Sequence, residues 1–249
     1  MLKEKTFALL MRYGVPLEQI KIFVVEEELE AYWAAFPGVE IVVGVLGLVP
    51  QRRLIYQWCQ DDEIVMMDDD VQAILGMDRQ PVQDFVGLCK RGFLECKERG
   101  LRLWSVCPVD NNFFYRETVS VNLKFCIGSF FGLVKRGEMP HQPETFKEDV
   151  YRTCAYYKED GGVVRLNWAG VKTSYARGTG GLNESRTIEK MLKGAEEVVK
   201  AFPEYATLYY RKRNGHPEIR LKAAKKVSFS PHIVLLPSPE SPPCSCDNS

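Results

Sequence analysis

Through residues 3–70, short apolar runs alternate with helical segments, and the third run ends directly in Asp68-Asp69-Asp70. Lys3–Tyr13 carries Phe7, Leu10 and Met11 at helical spacing and stops at Gly14. Ile20–Val25 is a β-rich apolar run, so a strand is expected. Glu26–Phe36 opens with acids, as a helix N-terminus favours, and ends before Pro37-Gly38. Val39–Val45 reads as the next strand, Pro50 as the start of the next helix, and Asp62–Met67 as a third strand. Apolar strands separated by helices of about ten residues imply an α/β fold with a mostly parallel central sheet and helices on its faces. In such sheets ligands bind beyond the carboxyl ends of the strands, where the three aspartates stand.

Further along, Val82–Arg99, Phe146–Tyr157 and Ser185–Phe202 read as helices, and Leu101–Val106, Ser120–Leu123, Ser129–Val134 and Val163–Trp168 as strands. Leu208–Arg213 and Glu218–Lys222 suggest a hairpin around Asn214-Gly215. No repeat or linker divides the chain, so a single domain over residues 1–226 is expected. Residues 227–249 form a Pro/Ser-rich tail expected to be disordered at its end.

The composition narrows the function. Lys plus Arg is 33 and Asp plus Glu is 33, so the formal net charge is zero. That argues against a protein holding nucleic acid by bulk positive charge, while leaving room for a local basic groove. No apolar run reaches the length of a membrane span, and the N-terminus lacks a secretory pattern. The eight cysteines contain no CxxC pair and read as reduced thiols. An intracellular protein is expected, cytoplasmic or nuclear, or in host cytoplasm if viral.

Three segments carry chemistry. Three adjacent carboxylates repel one another, and a hard divalent cation relieves that repulsion. Asp68 and Asp70 fall on one side of an extended chain and Asp69 on the other, so Asp70 with Asp68 is the candidate metal pair. The competing reading is an acidic turn capping a helix that starts at VQAIL. Glu148 and Asp149 open a helix, where a carboxylate facing a cleft acts as general base, or where negative charge simply suits the helix end. The segment GTGGLNESR contains Gly180, Gly181 and Arg186; with Lys172 and Arg177 upstream it suits a diphosphate, or a surface loop. Arg52, near a helix start and a strand end, is a candidate phosphate ligand. Arg211–Arg213 and Lys222–Lys226 are the basic clusters that could meet nucleic-acid phosphates, or only solvate a hairpin edge.

In their order, VEIVVGVLGLVPQRR, DEIVMMDDDV, GSFFGLV, KEDVYRTCAYYKEDGGVVRL and YARGTGGLNESRT resemble the TET/JBP-associated glycosyltransferases of the GT-A superfamily. The resemblance runs from about residue 5 to about residue 222. It implies a GT-A-like, Rossmann-related domain, a nucleoside-diphosphate sugar donor (a UDP-sugar) and Mn²⁺ or Mg²⁺ at the acidic triplet. Asp68 and Asp69 would lie toward the nucleotide and Asp70 on the metal. Glu148 and Asp149 would be the catalytic pair of an inverting hexosyl- or pentosyltransferase. Gly180, Gly181 and Arg186 would belong to the loop around donor or acceptor. The implied acceptor is the hydroxymethyl group of 5-hydroxymethylcytosine or 5-hydroxymethyluracil in DNA. The chain opens at the helix that would follow the family's first strand, so that strand is missing or replaced. The alternatives are a catalytically impaired binding module on the same fold and a nucleotidyltransferase.

Overall fold

The computed structural model describes residues 5–173 and 187–222. Among them are six helices and ten strands, an α/β protein. Helix α1 (Lys5–Arg12) is followed by β1 (Lys21–Val24), a short 3-10 turn, α2 (Leu29–Ala35), β2 (Glu40–Val43), α3 (Leu48–Trp58) and β3 (Glu63–Met67). Then come β4 (Val71–Leu75), α4 (Phe85–Glu98), β5 (Leu103–Cys107), β6 (Val119–Ser120) and β7 (Phe130–Val134). Helix α5 (Glu148–Asp160), β8 (Val164–Thr173), α6 (Ile188–Ala201), β9 (Ala206–Tyr210) and β10 (Pro217–Leu221) complete the described chain.

The main sheet has the order β3-β7-β5-β8-β4, with β6 paired to β8. It is mixed, a curled half-barrel, and this corrects the expectation of a mostly parallel sheet. Only β5 and β8 run parallel in it; the β3–β7, β5–β7, β4–β8 and β6–β8 pairs are antiparallel. The reason lies at the aspartates. A parallel crossover needs about a dozen residues, whereas Met67 and Val71 are joined by Asp68, Asp69 and Asp70 alone. The chain must reverse there. Yet β3 and β4 occupy opposite ends of the strand order, so the sheet has to curl until its two outer strands are a three-residue link apart. VQAIL is therefore a strand, and the triplet caps no helix.

Strands β1 and β2 form a separate two-stranded parallel sheet. Two helices connect the layers of both sheets. On one face Leu10 of α1 and Val15 after it pack on the cluster of Ile20, Phe36 and Val39 that Ile22 of β1 also covers, and on the core cluster that Val65 and Met67 of β3 cover. On the other face Trp58 of α3 meets Phe23 of β1 edge-on at 5.4 Å, while Tyr56 of the same helix packs with Ile64 and Met66 of β3. Helix α2 lies on the α1 side, with Tyr32 and Phe36 beside Phe7 and Leu10. The crossovers β1-α2-β2 and β2-α3-β3 thus pass over opposite faces.

The core of the main sheet centres on Trp104, fully buried, its ring filling the space left by the missing side chains of Gly92 and Gly132. Phe93 and Phe130 meet it edge-on at 5.3 and 5.6 Å. The six cysteines among the described residues are free thiols, and five are buried. No helix among the described residues is long and apolar enough to cross a membrane.

Candidate functional site at the sheet rim

Strand β3 hands the acidic triplet to the rim of the sheet. Its alternation buries Ile64 and Met66, and Asp68 N–H extends the ladder by donating to Ser129 O at 3.0 Å. The triplet's backbone is then gripped by buried Thr6 in the first turn of α1. Thr6 N–H donates to Asp69 O at 3.1 Å, its hydroxyl donates to Asp68 O, and the same hydroxyl accepts from Val71 N–H at 3.0 Å. One residue thereby fixes both ends of the link between the outer strands.

The side chains separate. Asp69 is exposed, while Asp68 and Asp70 are half-buried. Burial raises the Asp70 carboxyl to about 6, helped by the neighbouring negative charges of Asp68 and Asp69. Asp68 is raised by burial too, against the opposing pull of Arg52.

Arg52 comes from the N-terminal half of α3 and is 6% exposed. Its Nη2 donates to Gly128 O at 2.8 Å and to Asp68 Oδ1 at 3.1 Å. Its Nη1 pairs with Glu148 Oε1. The other carboxylate oxygen of Glu148 accepts from Arg152 Nη1 at 2.8 Å, one turn further along α5. Gln142 Nε2 donates to the Glu148 carbonyl at 2.6 Å. Burial pushes the Glu148 carboxyl up, but Arg152 and Arg52 outweigh it and hold Glu148 below its ordinary value. The Phe131 ring lies beneath both guanidinium groups, 3.8 Å from Arg152 and 5.2 Å from Arg52.

Asp149 follows Glu148 but, among the described residues, forms no ion pair with an arginine. Val150 N–H donates to its Oδ1 at 2.9 Å. Burial and then the charge of Glu148 raise its pKa to about 6. Adjacent carboxylates are thus pushed apart, one fixed as an anion and one poised to exchange a proton near neutrality. The site holds one buried carboxylate, Glu148, and two half-buried ones, Asp68 and Asp149, against the two buried guanidinium groups, and Asp70 adds further negative charge beside them.

Sequence reasoning named Arg52 as a phosphate ligand; its hydrogen bonds and ion pairs go to Asp68, Gly128 and Glu148, which makes it a brace inside the site. Lys172 is exposed on β8, paired in register with Ala73, three residues past Asp70. Arg177, Gly180, Gly181 and Arg186 lie outside the described residues. Four contributors had no sequence signal beyond their residue type. Thr6, Gln142 and Arg152 are one-residue polar insertions in ordinary helix or loop sequence. Gly128 directly precedes the strand expected from Ser129, and a Cβ there would stand 2.7 Å from Glu148 Oε1 and 3.3 Å from Arg52 Nη2. Glycine is required because the brace passes through the space a side chain would fill.

Among the described residues, no three His, Cys, Asp or Glu side chains converge to form a closed metal site. The donor set fits a cation shared with substrate: Mg²⁺ is commonly held by one or two carboxylates with phosphate oxygens completing the shell. Asp70 and Asp68 are the pair available for that. A cavity of about 320 Å³ adjoins the site through Gln142; Val45, Val49, Arg53, Leu54 and Glu144 also line it.

The loop after β5 leaves the same rim, because β5 and β3 both run antiparallel to β7. It carries Phe113 and Phe114, both exposed and in mutual edge-on contact at 5.3 Å, with exposed Arg116 beside them. The site stands on this geometry alone: no family model matches the chain, and no curated protein matches it.

Proposed function

We propose that the chain is a metal-dependent glycosyltransferase that moves a sugar from a nucleoside-diphosphate sugar to a hydroxyl acceptor. The observation that carries this reading is the single guanidinium, Arg52, joining Asp68 at the strand end to Glu148, whose neighbour Asp149 titrates at about 6. A rim carboxylate pair and a base candidate within one arginine's span suit a reaction that needs a diphosphate and an acceptor side by side.

Asp149 removes the acceptor proton as the acceptor oxygen attacks C1 of the sugar, and in-line displacement inverts that centre. Glu148, anionic and clamped, orients Asp149 and keeps its pKa high. Arg52 holds the two halves of the site in register. Asp70 and Asp68 would hold Mn²⁺ or Mg²⁺, which when bound would supply positive charge beside the departing diphosphate. Lys172 is the exposed cation available to a phosphate from the β8 side.

The resemblance to TET/JBP-associated enzymes makes a hydroxymethylated base in DNA, 5-hydroxymethylcytosine or 5-hydroxymethyluracil, the favoured acceptor. The exposed Phe113–Phe114 pair on the same rim supports it, since apolar side chains wedge beside a base that must leave the stack to reach an enzyme's interior. One observation favours a second reading, a binding module with impaired catalysis: Asp68 already has a cationic partner in Arg52 and so has less charge to offer a metal.

The test is incubation with labelled UDP-sugars, Mn²⁺ and hydroxymethylated DNA, followed by mass spectrometry of the digested nucleosides. A hexose or pentose on the modified base supports transfer. Nucleotide-sugar binding without transfer or hydrolysis selects the binding module. Pyrophosphate release from a nucleoside triphosphate selects a nucleotidyltransferase.

A further inference from the structure

Helix α3 carries two arginines in succession, and a turn of about 100° per residue sends them to different places. Arg52 is buried against Asp68 and Glu148. Arg53 instead lines the cavity of about 320 Å³, together with Val49 and Leu54 from the same helix face. Val45, in the turn after β2, lines it too, and that turn is fixed by Val45 N–H donating to Gln51 Oε1 at 2.7 Å. Gln142 and Glu144 join them from the segment that leads into α5.

Two opposite charges share this cavity without meeting. Among the described residues, neither Arg53 nor Glu144 takes part in an ion pair or a side-chain hydrogen bond. The Glu144 carboxylate is nonetheless placed, because it occupies the space at Gly47 (φ 104°) that a Cβ would fill. Gln142 commits its amide nitrogen to Glu148, 2.6 Å from the carbonyl oxygen and 3.3 Å from Oε2, which leaves its amide oxygen to accept. Exposed Gln57, whose amide serves either way round, does not discriminate. The walls therefore offer apolar surface, one donor fork and two acceptors. Small-molecule sites have this make-up, and a volume at the low end of their range of about 300–1,000 Å³ suits a single ring.

We infer that this cavity seats the base of the acceptor and selects an aminopyrimidine, cytosine, over uracil. The inference rests on the glycosyltransferase reading for its acceptor. Cytosine's amino group at C4 brings two N–H donors to the acceptors of Glu144 and Gln142, and its N3 and O2 accept from Arg53. Uracil has a carbonyl at C4, which would set oxygen against the Glu144 carboxylate and leave it without a donor. A site built around hydrogen bonds rejects such an analogue. The walls come from α3, the turn before it and the approach to α5, and none from Asp68–Asp70 or β4, which sets the cavity apart from the candidate metal pair. Gln142 belongs both to the cavity and to the hydrogen bonds around Glu148, so a ring seated there lies beside the helix end that bears Asp149.

The test is nucleoside binding to the full-length protein, with dissociation constants for 5-hydroxymethyl-2′-deoxycytidine and 5-hydroxymethyl-2′-deoxyuridine read by saturation-transfer NMR. Wild type should bind the cytosine nucleoside about tenfold more tightly or better, and UDP should displace neither. Glu144→Gln should cut that preference to about threefold or less, and Arg53→Ala should weaken binding of the cytosine nucleoside about fivefold or more. An unchanged Tm in both variants shows that the fold survives substitution. Equal binding of the two nucleosides, binding of neither, displacement by UDP, or a preference that survives Glu144→Gln would overturn the assignment. Sugar transfer from labelled UDP-sugars to hydroxymethylated DNA is read separately. A cytosine preference without transfer keeps the pocket and removes the transferase, and transfer without the preference does the reverse.

Discussion

Asp68 and Glu148 are held on different nitrogens of one guanidinium: Arg52 donates Nη2 to Asp68 Oδ1 at 3.1 Å and turns Nη1 to Glu148 Oε1. The strand end bearing the acidic triplet and the helix bearing the Glu-Asp pair are thereby parts of one charged assembly. Arg52→Ala should cost about 3 kcal/mol, because buried Glu148 loses one of its two arginines and Asp68 and the Gly128 carbonyl lose their contacts with the guanidinium. Arg52→Lys should recover little of this, since one ammonium cannot span the same fork. Urea denaturation of the three proteins checks it.

Asp149 gives the pH dependence of the proposed transfer. Its pKa of about 6 means that the base form is lost as pH falls through that value. kcat/KM should rise with pH, reach half its limit near 6, and stay level above. Asp149→Asn should lower kcat by about 10²–10⁴-fold and abolish this limb. Rate profiles taken at saturating Mn²⁺ separate the effect from metal binding.

Asp70 stores a conflict that a cation resolves. Its pKa in the folded protein, about 6, exceeds its ordinary 3.8. Between those values the folded protein binds more protons than the unfolded chain, so this group's contribution to stability declines as pH rises across that window and stays low above it. Asp70→Asn should therefore stabilise the metal-free protein at pH 7.5, by about 1 kcal/mol or less given its partial exposure. The same substitution should remove the rise in Tm that Mn²⁺ with UDP produces in wild type. Differential scanning calorimetry with and without Mn²⁺ and UDP reads both effects.

Gly128→Ala tests the brace without touching a charge. The added methyl would stand 2.7 Å from Glu148 Oε1, so the Arg52–Glu148 contact has to open. Destabilisation of about 1–3 kcal/mol is expected, of the size seen for overpacked cores. The Asp149 acid limb should move in the same variant, because the charge that raises its pKa has shifted.

Much of the local structure was legible in the sequence. The strands around Ile22, Val42 and Val65 appear within two residues of their expected ends, since buried runs bounded by Gly, Pro and acids leave little choice. Strand direction was not legible. It depends on the three-residue link at Asp68–Asp70, and on VQAIL, a short apolar run whose periodicity fits helix or strand equally. The acidic members of the site stood out because adjacent carboxylates are costly without a purpose. The residues that organise them did not, because Arg52, Gly128 and Arg152 acquire their roles only when distant segments meet across Phe131.

The link gripped by Thr6 is also the seam of the curled sheet. Anything that draws Asp68 and Asp70 together tightens the closure between the two outermost strands, and anything that drives them apart loosens it. A cation held by Asp68 and Asp70 would therefore bear on the joint between the outermost strands of the half-barrel, and a probe on β4, which begins at Val71 directly after the link, is where that would register.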